Sequence, residues 1–257
     1  MRALEHQSSL LAPVKNPSIF SRKPLVFLLL FLSSNVFAEF TLPSAGAKPQ
    51  GLGNAFIGLS DSPYAMVFNP AGLASITSYE LSFSYTGSDS SYDFLGLTLP
   101  EKMKGNCGFA VLSRENKAFY FSYGKFLKIR NKSISAGTSI KLFKSKDDGK
   151  GLGIDTGILY SLRDNLTFGF VLGNLFRDNF GYGFGLSFKI KSYLFTLDLK
   201  EREKSSLYFG LEKKMKEFLV RGGIDDKSLA LGISRCFSGI DIDLSISPFI
   251  LSAGFEY

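Results

Sequence analysis

The sequence predicts an all-β fold, a transmembrane antiparallel up-and-down β-barrel of 14 strands with a small N-terminal hatch or plug. Three observations predict it. From Tyr79 onward, short segments alternate apolar and polar side chains with a period of two. Tight turn residues such as Arg163-Asp164-Asn165, Asp225-Asp226 and Ser238-Gly239 separate them. A basic, then apolar, then small-residue leader precedes them all.

The leader comes first. Arg22 and Lys23 are followed by the unbroken apolar run from Leu25 to Leu32 and then by Val36-Phe37-Ala38. That order is the signature of a secretory signal, with cleavage expected after Ala38. Its apolar core is too short for a membrane-spanning helix of about 20 residues. A signal anchor that stays attached is the alternative, though no second hydrophobic stop segment follows. Residues 1–38 are thus the leader. Residues 39–76 are rich in Gly, Ala, Ser, Pro and Asn and show little alternation, so they are expected to form a compact plug. Residues 77–257 are the expected barrel.

Strand parity can be read directly, because successive side chains of a strand point to opposite faces. Ile134, Ala136, Thr138, Ile140 and Leu142 share one face, opposite Ser135, Gly137, Ser139 and Lys141. Leu152, Ile154, Ile158 and Tyr160 oppose Gly153, Asp155 and Gly157. The same holds for Phe184, Leu186 and Phe188 against Gly183, Gly185 and Ser187, and for Ile240, Ile242, Leu244 and Ile246 against Asp241, Asp243 and Ser245. One face is greasy and the other polar or tiny. Strand centres fall near residues 82, 96, 110, 121, 138, 157, 170, 186, 196, 208, 220, 231, 243 and 254. Fourteen is an even number, as in bacterial single-chain barrels, and twelve is the alternative. Residues 144–150, Lys-Ser-Lys-Asp-Asp-Gly-Lys, read as the longest polar turn.

A soluble sandwich would show similar alternation, so lipid is inferred from the export signal, the short hairpin connections and the C-terminus. There Leu251, Ala253, Phe255 and Tyr257 share one face, and the last residue is aromatic. This resembles the terminal strand that outer-membrane assembly machinery recognises, which makes Phe255 and Tyr257 the expected assembly signal. Aromatic residues reach 14% of the chain, and many lie at strand ends, where rings suit the membrane interface.

Composition narrows the chemistry. The one histidine, His6, lies in the leader, so the mature chain lacks the imidazole of Ser-His and Cys-His nucleophilic sites and of most zinc sites. An enzyme is not expected, and neither a metal nor a cofactor. The formal charge of +7 falls to +4 once the leader, with four cations and one acid, is removed, and the surplus is spread over many turns. No nucleic-acid footprint is present. Cys107 and Cys236 define no scaffold, and whether they bond is left open by the sequence. Asp155, Asp241 and Asp243 are expected to answer Arg163, Lys189, Lys200 and Arg221 across the lumen, with Asp198 among these inward charges, rather than to act as paired acids of a hydrolase.

The segment Gly51-Leu-Gly53-Asn-Ala-Phe56-Ile-Gly58 leads through Asp61 and Ala65 into Asn69-Pro70-Ala71-Gly72-Leu73-Ala74. It resembles the N-terminal signature shared by the FadL family of outer-membrane transport proteins and the related PorV/PorQ family. The resemblance implies a fourteen-stranded barrel with a hatch in its lumen. It makes Asn69, Pro70 and Ala71 the hatch turn, and Gly51, Gly53 and Gly58 the points where the hatch backbone nears the wall. The turn has a physical basis too, since Pro cannot pair in a central strand and Asn before it initiates turns. A dinucleotide loop at Gly51-Leu-Gly53 is disfavoured, because no strand precedes it and no βαβ unit follows. In the first branch the function implied is passive passage of hydrophobic or amphipathic small molecules across the outer membrane. In the second it is a structural or secretion-associated role. The partners implied are membrane lipid, the assembly machinery, and either a small-molecule cargo or secretion-system proteins. The chain is shorter than FadL transporters, and its loops are too brief to build a large outer ligand pocket.

Overall fold

The computed structural model describes residues 45–87, 92–101, 105–114, 116–129, 132–145, 149–176, 180–201, 205–225, 228–246 and 249–256. The leader, residues 1–38, lies outside these, as do the first residues of the expected plug and Tyr257.

Fourteen antiparallel strands close into one barrel in simple up-and-down order: β1 (Glu80–Thr86), β2 (Asp93–Leu99), β3 (Asn106–Ser113), β4 (Lys117–Ile129), β5 (Lys132–Ser145), β6 (Gly149–Arg163), β7 (Leu166–Gly173), β8 (Gly181–Ile190), β9 (Tyr193–Glu201), β10 (Ser205–Met215), β11 (Phe218–Ile224), β12 (Leu229–Phe237), β13 (Ile240–Ile246) and β14 (Ile250–Glu256). Every strand centre expected from the sequence falls inside an observed strand. Closure pairs β1 with β14, placing Leu81 opposite Phe255 and Phe83 opposite Ala253, so no edge is left unpaired.

The two ends differ. Where β1 begins and β14 ends, five of the six hairpin connections are two residues long, as between Arg163 and Leu166 or Phe237 and Ile240. Ser238 and Gly239 both take positive φ there, at 47° and 85°, the geometry that two-residue hairpins require. Connections at the opposite end are longer, reaching from Thr86 to Asp93 and from Gly173 to Gly181.

One expectation is corrected. Residues 144–150 are not a long turn, because β5 runs on to Ser145 and β6 starts at Gly149, with Lys144 opposite Lys150 in the ladder. Backbone pairing is indifferent to these outward lysines, which can extend into polar surroundings while the ladder continues.

Parity sorts the wall as the alternation predicts. Phe119, Phe121, Leu142, Leu152, Ile158, Phe184, Leu199, Leu207 and Ile233 all point outward and are exposed. Their odd or even neighbours Ser122, Ser139, Asp155, Ser187, Thr196, Asp198, Ser206 and Ser234 are buried inside. An exposed apolar belt around the whole wall, with many small and polar side chains on the inner face, is unlike the surface of a soluble protein and fits a hydrocarbon solvent. Among the described residues no helix is long and apolar enough to cross a membrane, and the strands are the elements suited to it.

Residues 45–76 fill the interior. They contain α1 (Ala47–Gly51), α2 (Ala65–Phe68) and a 3-10 helix, Pro70–Ser75. Leu52, Phe56, Ile57, Met66, Phe68 and Leu73 are fully buried, and they pack with Phe94, Leu112, Tyr120 and Val171 from the inner wall. The ring of Phe56 meets that of Phe68 edge-on at 5.4 Å. The core of this protein is therefore a short irregular segment wrapped by a sheet.

Candidate functional site: the interface between inner segment and barrel wall

Irregular backbone inside a barrel has polar groups that only the wall can satisfy, and the inward faces of the strands supply the partners. Asp198 Oδ2 accepts from the Phe56 and Ile57 backbone N–H groups at 2.7 and 2.8 Å. Lys200, two residues on and on the same face, donates to the Asn54 carbonyl at 2.6 Å. Its ammonium lies 3.9 Å from Asp198 Oδ2 and 4.1 Å from the centre of the Tyr208 ring. Asp198 and Lys200 are both fully enclosed, so this pair grips the Asn54–Ile57 bend with charge out of contact with water.

The Asn69-Pro70-Ala71 turn is held in the same manner. Asn69 Oδ1 accepts from Ala71 N at 3.2 Å, which caps the 3-10 helix, while Nδ2 donates to the Ile57 carbonyl at 3.1 Å and to Ile158 of the wall at 3.3 Å. Pro70 occupies the first helical position, where its missing N–H costs nothing. Further bonds reach inward from Ser139 to the Met66 carbonyl, from Ser187 to the Gly58 carbonyl, and from Asn106 to the carbonyls of Leu73 and Ile76.

Glycines set how closely the two surfaces approach. A Cβ placed on Gly185 would lie 2.2 Å from Gly58 N, and one on Gly58 would lie 2.6 Å from Leu186 N. Gly223 and Gly53 face each other likewise: a Cβ on the former would lie 2.1 Å from Gly53 N. Gly53 also has φ of +60°, which a larger side chain rarely adopts. A Cβ on Gly51 would lie 3.1 Å from Gly232 Cα, and Gly137 leaves room for Pro70. Gly223→Val is thus expected to force the segment and β11 apart, destabilising the protein by about 1–3 kcal/mol. Urea unfolding in detergent checks this, with Gly222→Val, outward on the same strand, as the comparison expected to be mild.

The inward charges divide into those that pair and those that do not. Arg221 donates through Nε to Glu212 and through a terminal nitrogen to Asp243, both at 2.6 Å, and Ser234 also donates to Asp243. Asp155 is buried, but its partner is Lys141 on the neighbouring strand, whose ammonium donates to both carboxylate oxygens at 2.8 and 2.9 Å. The expected answer from Arg163 or Lys189 is corrected, because both lie exposed at strand ends, too far along the barrel axis to reach the buried acids. Asp241 is corrected for the same reason: it has inward parity but sits exposed at the rim. There it lines a polar recess of about 210 Å³ with Lys48, Asp61, Glu80, Asp243 and Glu256. Lys48 and Asp61 pair at 2.8 Å in that recess. Burial is the largest single influence on Lys48 and would lower its pKa, but the charge and hydrogen bond of Asp61 together with the charge of Glu212 hold the ammonium above its ordinary value. Phe255 lies on the outer face of β14 between Leu81 and Ile240. Cys107 and Cys236 are both free thiols, on β3 and β12, which are not neighbours in the barrel.

Sequence reasoning missed Lys141, Glu212 and Asn106. Lys141 had a signal, as the single charge on an inward face of β5 that otherwise holds Ser, Gly and Phe143.

No family model matches the chain, and no curated protein matches it in sequence. Solved structures do match in fold. The Pseudomonas putida toluene transporter TodX is similar with a TM-score of 0.60 at 10% identity, over 87% of this chain and 98% of that one. The Ralstonia pickettii toluene transporter TbuX gives 0.60 at 10%, over 85% and 100%. The Acinetobacter baumannii outer membrane protein Omp33 gives 0.56 at 11%, over 70% and 98%. At these identities the likeness is one of fold, and the fold it shows is that of bacterial outer-membrane barrels.

Proposed function

We propose that this protein resides in a bacterial outer membrane and passes small hydrophobic or amphipathic molecules, with residues 45–76 as a hatch that closes its lumen. The observation that carries the reading is the pairing of a closed, outwardly apolar barrel with a separate inner segment. The segment is held by hydrogen bonds, apolar packing and glycine contacts, and none of the contacts described between it and the wall is covalent. Such contacts exchange for water when the segment moves, so the lumen has a means of opening. The fold shared with hydrocarbon transporters supports the same reading. Export through the signal at residues 1–38, recognition of Phe255 and Tyr257 by the assembly machinery, and the absence of enzymatic chemistry belong to this proposal.

A second reading, a structural or secretion-associated barrel, is favoured by how completely Gln50, Ser60, Asn69 and Asp198 are buried at the closed interface. A liposome swelling assay over solutes of graded polarity distinguishes them. Transport predicts that the intact protein admits small apolar solutes faster than polar ones of equal size. No admission by the intact protein, with secretion proteins retained on it, supports the second reading. Deleting residues 40–76 should leave a folded barrel with raised conductance in planar bilayers, and an unchanged conductance rejects the hatch.

A further inference from the structure

The outer surface of the barrel bears a row of three lysines at the end with the longer connections. Lys117 of β4 lies directly opposite Lys144 of β5, which lies directly opposite Lys150 of β6. All three point outward and are exposed. Like charges directly opposed on one sheet face repel. Among the described residues no carboxylate or aromatic ring answers them. Several outward cations at the other end are covered: Lys132 lies 5.1 Å from the centre of the Tyr160 ring and Lys213 lies 5.2 Å from that of Tyr193. Arg235 stacks on Phe218 and Phe237 and pairs with Glu217.

Immediately below the lysines the next outward row is apolar, with Phe119 opposite Leu142 and Leu142 opposite Leu152. Two residues of strand span about 7 Å, so the ammonium groups stand at headgroup level above this belt. The belt is also hollowed. An outward groove of about 520 Å³ is lined by Leu95, Phe109, Phe119, Phe121, Ile140 and Leu142. A triad of cations that no described carboxylate answers therefore sits over an apolar furrow in the same wall.

We propose that this face binds an anionic lipid of the adjoining leaflet, its headgroup phosphate held by Lys117, Lys144 and Lys150 and an acyl chain lying in the groove. Because longer connections mark the outward side of such barrels, the leaflet is the external one. The inference rests on the membrane reading above. It is independent of what passes through the lumen.

Native mass spectrometry of the full mature protein in detergent, titrated with phosphatidic acid or phosphatidylcholine, tests it by resolving the first bound lipid. The intact protein should retain phosphatidic acid about fivefold more readily than phosphatidylcholine, the factor given by one lysine near an anionic surface. The Lys117→Gln/Lys144→Gln/Lys150→Gln protein should lose that preference, whereas Lys132→Gln/Lys213→Gln should keep it. Lys144→Glu places an acid between two lysines, so it should abolish the preference while raising the melting temperature. Equal retention of the two lipids by the intact protein overturns the proposal. So does a preference that survives the triple substitution. A mature protein that dissolves without detergent and retains neither lipid overturns the membrane reading instead.

Discussion

Asp198→Ala is expected to destabilise the protein by about 3–5 kcal/mol, the cost of removing one member of a buried charge pair. The carboxylate is fully enclosed, and its loss leaves two backbone N–H groups, of Phe56 and Ile57, without an acceptor. Lys200 loses the negative charge beside it while its ammonium stays buried against Tyr208. Since the same carboxylate holds the inner segment to β9, the damage should appear in two readouts. The urea midpoint falls, and the single-channel record shows more frequent openings than that of the intact protein. Asp198→Asn keeps the one acceptor oxygen that both amides share and should cost less. A loss below about 1 kcal/mol for the alanine form would mean that Asp198 does not anchor the segment.

Phe184→Arg tests the other surface. Phe184 lies in the middle of β8, faces outward, is 45% exposed and packs at 4.9 Å from Phe170 of β7. An arginine at the bilayer midplane on a lipid-facing strand costs about 2–4 kcal/mol, and Ile158→Arg on β6 should behave alike. Ser187→Arg, three residues along on the inner face, should act differently. Ser187 donates to the Gly58 carbonyl at 3.1 Å, so a long side chain there displaces the segment, not lipid. The outward substitution should therefore be worse in bilayers than in compliant detergent micelles. The inward one should be equally costly in both and should raise conductance. Folding measured by gel mobility and urea titration in the two media checks this. Equal behaviour at both positions would defeat the assignment of faces.

Much of this architecture was legible because a wall one residue thick, with lipid on one side and a packed interior on the other, writes a period of two into every strand. β5, β6, β8 and β13 could be assigned to faces from their letters alone. The turn at Asn69-Pro70-Ala71 was legible for a local reason, as Asn caps and Pro opens a helix wherever they occur together. Parity gives the face of a residue but not its height along the barrel. Arg163, Lys189 and Asp241 share the face of the buried charges yet stand at the rim, whereas Lys141 lies deep enough to meet Asp155. Height depends on where each hairpin turns. The sequence blurred this at residues 144–150, where a polar run continues two paired strands. The grip of Asp198 and Lys200 on residues 54–57 was hidden for another reason: it joins positions more than 140 residues apart, with no periodicity to link them.

The most direct test of the account is spin-label accessibility along the wall, in a background with Cys107 and Cys236 replaced by serine. Labels at the outward positions 184, 197, 209 and 233 should collide freely with oxygen dissolved in the bilayer and be shielded from a water-soluble nickel complex. Labels at the inward positions 187, 196, 206 and 234 should be shielded from both. Nickel reaching the first set, or bilayer oxygen reaching the second, would contradict a barrel that faces lipid outside and is closed by its own N-terminal segment within.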